Sequence, residues 1–318
     1  MREHVDKMRD IVLQTLRTII TNDYILLDLP YQRNVGDVLI WQAFEDIKPQ
    51  LGHRCLYQCS EATYDKPSID KDVILVFMGG GNFGDLWEHH QIFRYQVMND
   101  FPDNPFVQLQ QSVWFDDPEK MKQDVIEFQK HRGKVSICLR DKQSYDIIQE
   151  NYPSVETYLL PDLALTFDVE SYCKKHHINI NQGNGNLLAL RKDKEAVDIS
   201  KYKVPSDVEV SDWPSMMCTL PKQAKVQKWI RRCEKYLHSK ALARLLTDYL
   251  YRKVLKYEYI NSGIDFLNSY KTIYATRLHV AILAALMGKE TYIIDNSYHK
   301  ISGVYNQWMK NSKIVKML

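Results

Sequence analysis

The chain of 318 residues has the composition of an ordinary globular protein, with 45% hydrophobic and 26% charged residues. Its 42 basic and 40 acidic side chains nearly cancel, so the net charge gives no reason to expect a nucleic-acid partner. The length suits two domains better than one.

The N-terminal segment and the cysteines indicate the cellular compartment. Residues 1–20 mix charges of both signs among apolar positions, which predicts an amphipathic helix rather than a secretory signal. No stretch is as long and as uncharged as a membrane span. Of the six scattered cysteines, only Cys55 and Cys59 lie close together, and one C-x3-C pair makes a poor zinc site. We therefore predict a reduced, soluble, cytoplasmic protein without a bound metal.

Through the first half of the chain, short apolar runs alternate with helical patterns. The apolar runs are typical of buried strands in a parallel sheet. Alternation of this kind predicts βαβ units and a doubly wound α/β sheet with helices on both faces. We expect strands within 24–30, 72–78, 105–112, 134–140 and 156–162, and helices within 38–47, 118–131 and 141–152.

The second half resumes the same pattern after a segment rich in Asn, Gly and Gln at 176–186. We expect two Rossmann-like domains, 1–175 and 176–318, that face each other across a cleft. Whether the C-terminal helix packs back on the first domain is open. The elements predicted here are a strand in 186–193, a basic helical stretch over 222–257, a strand at 271–276, a helix at 277–288, a strand at 291–296 and a helix near 303–310.

Two loops with the pattern Asn-x-Gly-Asp follow strands of the first half. One runs from Asn34 to Asp37, and the other, within GGGNFGD, from Asn82 to Asp85. We expect both at one edge of the sheet, outside the carboxyl ends of the strands, where such sheets bind ligands. Helix N-termini favour anions, but the aspartates are negative themselves. Each aspartate either caps its helix or contacts a sugar hydroxyl as acceptor or general base.

Arginines end three of the predicted strands. Arg277 and His279 flank Leu278 at a strand end and helix start, where both polar side chains can converge on one ligand while the leucine packs inward. Arginine binds carboxylate or phosphate through two parallel hydrogen bonds, and histidine transfers protons near neutral pH. Together with Arg140 and Arg191, this arrangement favours a site for a substrate with several negative charges, although surface salt bridges would explain the latter two equally well.

The segment 222–257 is strongly basic, with eleven Lys or Arg residues against Glu234 and Asp248. A solvated helix face is the commoner explanation of such a run. The alternative is a surface that meets anionic lipid head groups or a lipid-linked phosphate. Aromatic residues that suit an interfacial contact occur at Trp229, Tyr236, Tyr249 and Tyr251.

The ordered motifs of the chain together resemble the polysaccharide pyruvyl transferase family. They extend from about residue 24 to 310, although nothing in 195–260 matches. IDNSYHK (294–300), followed by Trp308, is similar to the branch found in exopolysaccharide and biofilm-matrix gene clusters. The other motifs are NVGDVLI (34–40), GGGNFGDLW (79–87), QQSV (110–113), LRDKQS (139–144), LPDLAL (160–165) and TRLHVAILAALMG (276–288).

This resemblance implies transfer of a pyruvyl group from phosphoenolpyruvate to a sugar, which forms a cyclic ketal. It also implies a fold similar to the two-domain GT-B glycosyltransferases. The family's R-L-H triplet binds phosphoenolpyruvate, and Arg140 is matched to a further arginine of the first domain. The scheme needs no metal and no cofactor, because arginines neutralise the donor. The residues so implicated are Arg277, Leu278, His279, Arg140 and Arg191 on the donor side, Asp37 or Asp85 as base, and Asn34 and Asn82 toward the acceptor.

Two other functions are compatible with the same features. One is a GT-B-like glycosyltransferase that uses a nucleotide sugar, and the other is a non-catalytic member that binds a glycan or an anion within a polysaccharide assembly complex. The pair Arg277 and His279 favours the pyruvyl transferase, because a pure binding module has no need of an acid. The acceptor sugar and its carrier, lipid or otherwise, are not encoded in any motif.

Overall fold

The computed structural model of the protein describes residues 2–193, 195–236, 239–295 and 300–318, apart from the side chains of residues 2, 234 and 235. The chain forms two compact units. The N-terminal unit comprises residues 3–30 and 43–166, and the C-terminal unit comprises 31–42 and 167–318. Each unit is built around its own parallel sheet.

Twelve strands are present in the described residues, and most are short. In chain order they are β1 (Tyr24–Leu27), β2 (Cys55–Gln58), β3 (Ile74–Phe77), β4 (Gly80–Gly84), β5 (Phe106–Trp114), β6 (Val135–Leu139), β7 (Val155–Leu159), β8 (Asn186–Ala189), β9 (Glu209–Ser211), β10 (Thr272–Ala275), β11 (Glu290–Ile293) and β12 (Val315–Met317).

Helices connect these strands. They are α1 (Arg2–Ile19), α2 (Val35–Ile47), α3 (Glu88–Asp100), α4 (Pro118–Lys130), α5 (Lys142–Asn151), α6 (Val169–His176), α7 (Pro214–Met217), α8 (Pro221–Tyr236), α9 (Lys240–Leu250), α10 (Lys256–Asn268), α11 (Leu278–Leu286) and α12 (Lys300–Val304). Short 3-10 turns lie at Lys48–Gln50, Glu61–Thr63, Leu163–Thr166 and Ile199–Lys201, and π-helical turns at Tyr251–Leu255 and Tyr305–Met309.

Both sheets are parallel throughout. The N-terminal unit holds a seven-stranded sheet in the order β2-β1-β3-β5-β6-β7, with β4 also paired to β5. The C-terminal unit holds a five-stranded sheet in the order β12-β11-β10-β8-β9. This confirms the mixed α/β class with parallel sheets, whereas the cleft between two facing domains stays a prediction.

A strand is present in each of the eight predicted ranges, and most of these strands are buried on both faces. Every residue of β1, β3, β6 and β10 is buried, as expected for strands covered by helices on either side. The helix α11 is buried at all nine positions, which is typical of an apolar helix in a domain core. The core of the N-terminal unit contains a cluster of phenylalanines, which includes Phe77, Phe83, Phe93, Phe106 and Phe128.

The compact units differ from the predicted domains in the placement of residues 31–42. This segment, which carries the NVGD motif, belongs with the C-terminal unit rather than with the strand that precedes it. Close packing holds it there: a Cβ atom on Gly263 would lie 2.8 Å from Val35 Cγ1. The main division between the units falls after Thr166. Residues 177–185, within the segment rich in Asn, Gly and Gln, contain no helix or strand.

The GGGNFGD segment was predicted as a loop that follows a strand, but most of it is a strand itself. Gly80–Gly84 forms β4, which pairs with β5 through Gly80 to Gln111 and Gly84 to Trp114. A Cβ atom on Gly79 would lie 2.5 Å from the carbonyl oxygen of Gln110, and one on Gly84 would lie 1.8 Å from that of Trp114. The glycines therefore allow two backbones to approach each other, and Asn82 lies within a strand instead of opening a helix.

The basic stretch 222–257 is also divided more finely than predicted. Helix α8 ends at Tyr236 and α9 begins at Lys240, after Ser239, whose hydroxyl accepts a hydrogen bond from the backbone N–H of Leu242 and caps the new helix. A π-helical turn then leads into α10. Within the described part of the chain, no helix combines the length and the apolar character needed to cross a bilayer.

Substitution of Gly84 tests the close approach of β4 to β5. Gly84→Ala should lower the free energy of unfolding by about 2–4 kcal/mol, because it adds a backbone clash to the strain of a residue at φ +118°. Gly52→Ala is the matched control, since Gly52 also has a positive φ (+84°) but open space where its Cβ would lie. Urea denaturation of both variants would measure the difference, and equal losses would contradict the packing argument.

Candidate functional site

Charged side chains collect at the carboxyl ends of the strands in the C-terminal sheet. Arg191 follows β8, Asp212 follows β9 and Arg277 follows β10. Because β9, β8 and β10 are neighbours in a parallel sheet, the residues after them meet at one edge. The backbone N–H of Arg191 donates to Oγ1 of Thr276 over 2.8 Å, which ties the ends of β8 and β10 together.

Arg277 is buried and bound to two carboxylates. Its Nε and Nη2 donate to the two oxygens of Asp212 at 2.6 and 2.7 Å, and Nη2 also donates to Asp193 at 3.1 Å. Burial lowers the pKa of Arg277, but the paired carboxylates outweigh it and hold that pKa above its ordinary value. None of these bonds uses Nη1, so this nitrogen is not needed to hold either described carboxylate.

The neighbouring charges extend this pair into a network. Arg191 binds the carboxylates of Asp193 and Glu195, and Nζ of Lys300 lies 3.3 Å from Glu195 Oε1. Burial alone would raise the pKa of Asp193, but the hydrogen bond and charge of Arg191 bring it below its ordinary value. The predicted strand-end arginines are therefore balanced by carboxylates and do not form an uncompensated cluster of positive charge.

His279 lies directly against the NVGD motif. A Cβ atom on Gly36 would be 2.3 Å from Nδ1 of His279 and 2.6 Å from its Cγ, so only glycine leaves room for the imidazole. Gly36 is in the first turn of α2 and His279 in the first turn of α11, and both helix starts belong to the C-terminal unit. Leu278 is buried, as predicted. The structure thus brings together the two motifs that the sequence singled out for chemistry.

Asn34 and Asp37 form a local hydrogen-bonded pair at the start of α2. The side-chain oxygen of Asn34 accepts from the backbone N–H of Gly36 at 3.1 Å, which caps the helix. The carboxylate of Asp37 accepts from the side-chain amides of Asn34 at 2.8 Å and Gln32 at 2.7 Å. Both partners are side chains of a partly exposed loop, so the carboxylate is oriented without being locked into the backbone.

In the N-terminal unit, Asn82 belongs to a buried polar network. Its Oδ1 accepts from Arg94 Nη2 at 2.6 Å and from Gln111 Nε2 at 2.7 Å. Arg94 is fully buried and also donates from Nε to Gln108 at 2.7 Å. Burial lowers the pKa of Arg94, and the charge of Asp28 partly offsets this effect. Asn82 therefore holds β4 in place, and its predicted contact with the acceptor stays a prediction.

Asp85 has a structural task as well. Its carboxylate accepts hydrogen bonds from the backbone N–H of Asp116, at 2.9 and 3.0 Å, and of Asp117, at 2.9 Å. These bonds secure the turn that leads into α4. Of the two alternatives for Asp85, capping of the following helix is wrong, because its carboxylate braces a loop that follows β5, and contact with a sugar hydroxyl stays a prediction.

Arg140 is likewise paired inside the N-terminal unit. Its Nη1 donates to Asp162 at 2.6 Å and its Nε to the hydroxyl of Ser112 at 2.8 Å. Both Arg140 and Asp162 are almost fully buried. A Cβ atom on Gly81 would lie 3.0 Å from Arg140 Nη2, so the GGGNFGD segment passes close to the guanidinium.

The predicted site residues therefore fall into two groups. The C-terminal unit contains Asn34, Asp37, Arg191, Arg277, Leu278 and His279, whereas the N-terminal unit contains Asn82, Asp85 and Arg140. Sequence reasoning missed the acidic partners of the arginines. To predict Asp212 at a strand end, one must first predict β9. This strand has three residues, is mostly exposed and lacks an apolar run. Residues 296–299 of the IDNSYHK motif lie outside the described residues.

These features define an α/β protein with two parallel sheets and with paired arginines and a histidine at strand ends. The sequence profile of the family described as polysaccharide pyruvyl transferase matches residues 34–298. The chain belongs to this family, as its motifs predicted, and the family places it among the transferases that act on polysaccharide.

Relatives match along most of the chain. EpsO of Bacillus subtilis, which carries the name of a pyruvyl transferase, is 28% identical over 300 residues, covering 93% of this chain and 88% of EpsO. Pyruvyl transferase 1 of Schizosaccharomyces pombe is 26% identical over 309 residues, covering 89% and 69%. The crystal structure of a functionally uncharacterised Klebsiella pneumoniae protein aligns with a TM-score of 0.61 and 20% identity over 98% of both chains, which supports the fold.

Replacement of Asp212 tests the buried pair at the strand ends. Asp212→Asn should lower the free energy of unfolding by about 3 kcal/mol, because it leaves the Arg277 guanidinium short of a buried counter-charge. Asp23→Asn is the matched control: Arg54 binds Asp23 through the same two nitrogens, at 2.9 and 2.7 Å, but is largely exposed. Its loss should be much smaller because solvent screens that pair. Similar losses in urea denaturation would contradict the importance of burial.

Proposed function

We propose that the protein transfers the pyruvyl group of phosphoenolpyruvate to a sugar of an exopolysaccharide or its precursor. The product is a cyclic pyruvate ketal, and inorganic phosphate is released. The observation that carries this proposal is the contact between the imidazole of His279 and Gly36 of the NVGD motif, in a chain of the pyruvyl transferase family. This contact joins a proton-transfer group to a carboxylate-bearing loop.

The donor is a compact anion with a carboxylate and a phosphate. We place it at the N-terminus of α11. Backbone N–H groups at a helix N-terminus favour negative charge. Arg277 immediately precedes the helix, and the Nη1 of its guanidinium is not needed for the bonds to Asp212 and Asp193. We assign donor binding to Arg277 and His279, with Leu278 packing inward between them. Arg191 contributes indirectly, because it binds one oxygen of Asp193 while Arg277 binds the other.

The reaction requires three proton movements. Addition of a proton to the methylene carbon of phosphoenolpyruvate makes C2 electrophilic, and a sugar hydroxyl then attacks C2 and loses its proton. A second hydroxyl of the same sugar closes the ring and loses its proton, while phosphate leaves with the electron pair of the C2–O bond and takes up a proton. We assign His279 as the acid or as the partner of the departing phosphate. No metal and no further cofactor enters this scheme.

Asp37 is a better candidate for the base than Asp85. Among the described residues, Asp37 accepts hydrogen bonds from the side-chain amides of Gln32 and Asn34, which can exchange for a sugar hydroxyl. Asp85 already accepts three hydrogen bonds from backbone N–H groups, and its use as a base would release the turn before α4. Asn34 is the residue of this loop that we assign to the acceptor sugar.

Removal of the imidazole tests the proposed chemistry. Phosphoenolpyruvate should raise the melting temperature of the wild type, and phosphate should appear when a suitable polysaccharide or lipid-linked sugar is added. His279→Ala should lower the rate of phosphate release by about 10²–10⁴-fold, the usual contribution of general acid–base catalysis. Gly36→Ala should lower it as well, because the added methyl group displaces the same ring. His53→Ala, a change in the N-terminal unit, is the control and should leave the rate unchanged.

Each alternative has a distinct result. A wild-type rate in His279→Ala would contradict the role of His279. Stabilisation by a nucleotide sugar but not by phosphoenolpyruvate would favour a glycosyltransferase. Binding of phosphoenolpyruvate without consumption, whatever the acceptor, would favour a non-catalytic binding protein.

We also propose that the enzyme is cytoplasmic and meets the inner face of the membrane through helices α8 and α9, where a lipid-linked acceptor would be presented. Leu242, Leu245 and Tyr249 share one face of α9 at spacings of three and seven residues, and all are exposed. Trp229 and Tyr236, seven residues apart on α8, are 60% and 67% exposed. The exposed basic residues beside them are Lys222, Lys225, Lys228, Arg231, Arg232 and Lys240.

A membrane with anionic lipids complements this combination of apolar and basic side chains. The apolar side chains enter the membrane interface, and each lysine or arginine that contacts the head groups adds about 1 kcal/mol of binding free energy. Vesicles with phosphatidylglycerol should sediment the protein at low salt, and vesicles of phosphatidylcholine alone should not. Trp229→Glu and Leu245→Glu should weaken sedimentation. Ile126→Glu alters an equally exposed apolar residue of α4 and should have no effect. Equal binding to neutral and anionic vesicles would contradict this assignment.

A further inference from the structure

A buried aspartate–histidine pair in the N-terminal unit has no part in the proposed reaction. Nδ1 of His90 lies 2.9 and 3.0 Å from the two carboxylate oxygens of Asp28, and both side chains are at least 90% buried. A carboxylate accepts hydrogen bonds, so Nδ1 carries the proton. The lone pair of the imidazole is therefore on Nε2, which is the tautomer that binds metal ions.

Asp28 is held in position by its surroundings. It follows β1 directly and adopts a left-handed backbone conformation with φ +61°, which aspartate and asparagine tolerate better than other side chains. Its Oδ2 also accepts from the amide of Asn82 at 3.3 Å. Two partners thus orient the carboxylate, and the carboxylate in turn orients the ring of His90.

Two further ligand groups lie beside His90. Glu61, in the 3-10 turn after β2, and His89, in the first turn of α3, are both exposed. Each of the three residues offers one ligand atom, and these atoms lie within 4.8 Å of one another. The rings of His89 and His90 are 4.1 Å apart between centroids.

We propose that Glu61, His89 and His90 bind a divalent transition metal ion with zinc-like preferences, and that Asp28 is the positioning residue behind His90. Two imidazoles and one carboxylate are ligands typical of zinc, and three protein ligands leave a fourth position for water or an anionic oxygen. A carboxylate behind a ligating histidine is the usual arrangement in such sites. The sequence prediction of no metal considered the cysteines, and Glu61 is too far along the chain from the two histidines to form a recognisable motif.

The distances allow the ion to be bound after a small adjustment. Zinc bonds of about 2.1 Å place two ligand atoms of a tetrahedral ion about 3.4 Å apart. The ligand atoms that lie farthest apart, up to 4.8 Å, must therefore approach each other by about 1 Å or somewhat more. Glu61 and His89 can supply this movement by rotation of exposed side chains, while the buried ring of His90 stays in place.

Metal titration of the tag-free, full-length protein tests this proposal independently of any transferase activity. Calorimetry with Zn²⁺ should give one equivalent per chain, and bound Co²⁺ should give the visible absorption of a low-coordinate site without a thiolate band. Glu61→Gln and His89→Ala should each weaken binding at least tenfold, and because both side chains are exposed these variants should fold. Asp28→Asn should weaken binding by about 10–100-fold and shift the Co²⁺ absorption.

Two controls separate this site from other metal-binding groups. His53→Ala changes a histidine elsewhere in the same unit, and Cys218→Ser removes the exposed thiol; both should leave the affinity unchanged. The proposal is overturned by absence of stoichiometric binding, by a wild-type affinity in Glu61→Gln and His89→Ala, or by loss of binding in Cys218→Ser. In the first two cases the cluster would be no more than a polar surface contact.

Discussion

The buried guanidinium of Arg277 needs carboxylate partners, and this requirement organises the strand ends of the C-terminal sheet. A buried charge without a partner costs several kcal/mol, so Asp212 and Asp193 approach it from the ends of neighbouring strands. Under the proposed function, the donor anion meets a guanidinium that is already oriented. It must use the remaining nitrogen or compete with carboxylates, which favours a small ligand of high charge over a weakly charged sugar.

Buried cations also need partners in the N-terminal sheet, but here the consequence is different. Arg140 is bound to Asp162, and Arg94 is surrounded by the amides of Gln108, Asn82 and Gln91. These cations stabilise the carboxyl edge of the sheet and have few bonds to spare. The GGGNFGD segment is part of that framework, so the proposed chemistry depends mainly on the TRLH and NVGD motifs.

Local sequence predicted the elements with clear apolar runs, including the partly buried strands β7 and β11, and it missed several short strands with a weaker apolar pattern. The four-residue strand β1 and the helix α11 were recognisable because every position is buried. The strands β2, β4, β9 and β12 were missed, since β2, β9 and β12 are partly exposed and β4 consists largely of glycine. Among the candidate site residues, Arg277, His279 and Asp37 were singled out from their motifs. Their partners Asp193 and Asp212 were not, because an isolated aspartate carries no local signal.

The sequence by itself determined the α/β class, the pyruvyl transferase family and the motifs that carry its chemistry, because these depend on periodicity and on short ordered patterns. Only the tertiary structure decided which charges pair, that Gly36 makes room for His279, and that Glu61 lies beside His89 and His90. Such contacts join elements that are distant along the chain. They depend on how sheets and helices pack, which no local pattern of residues encodes.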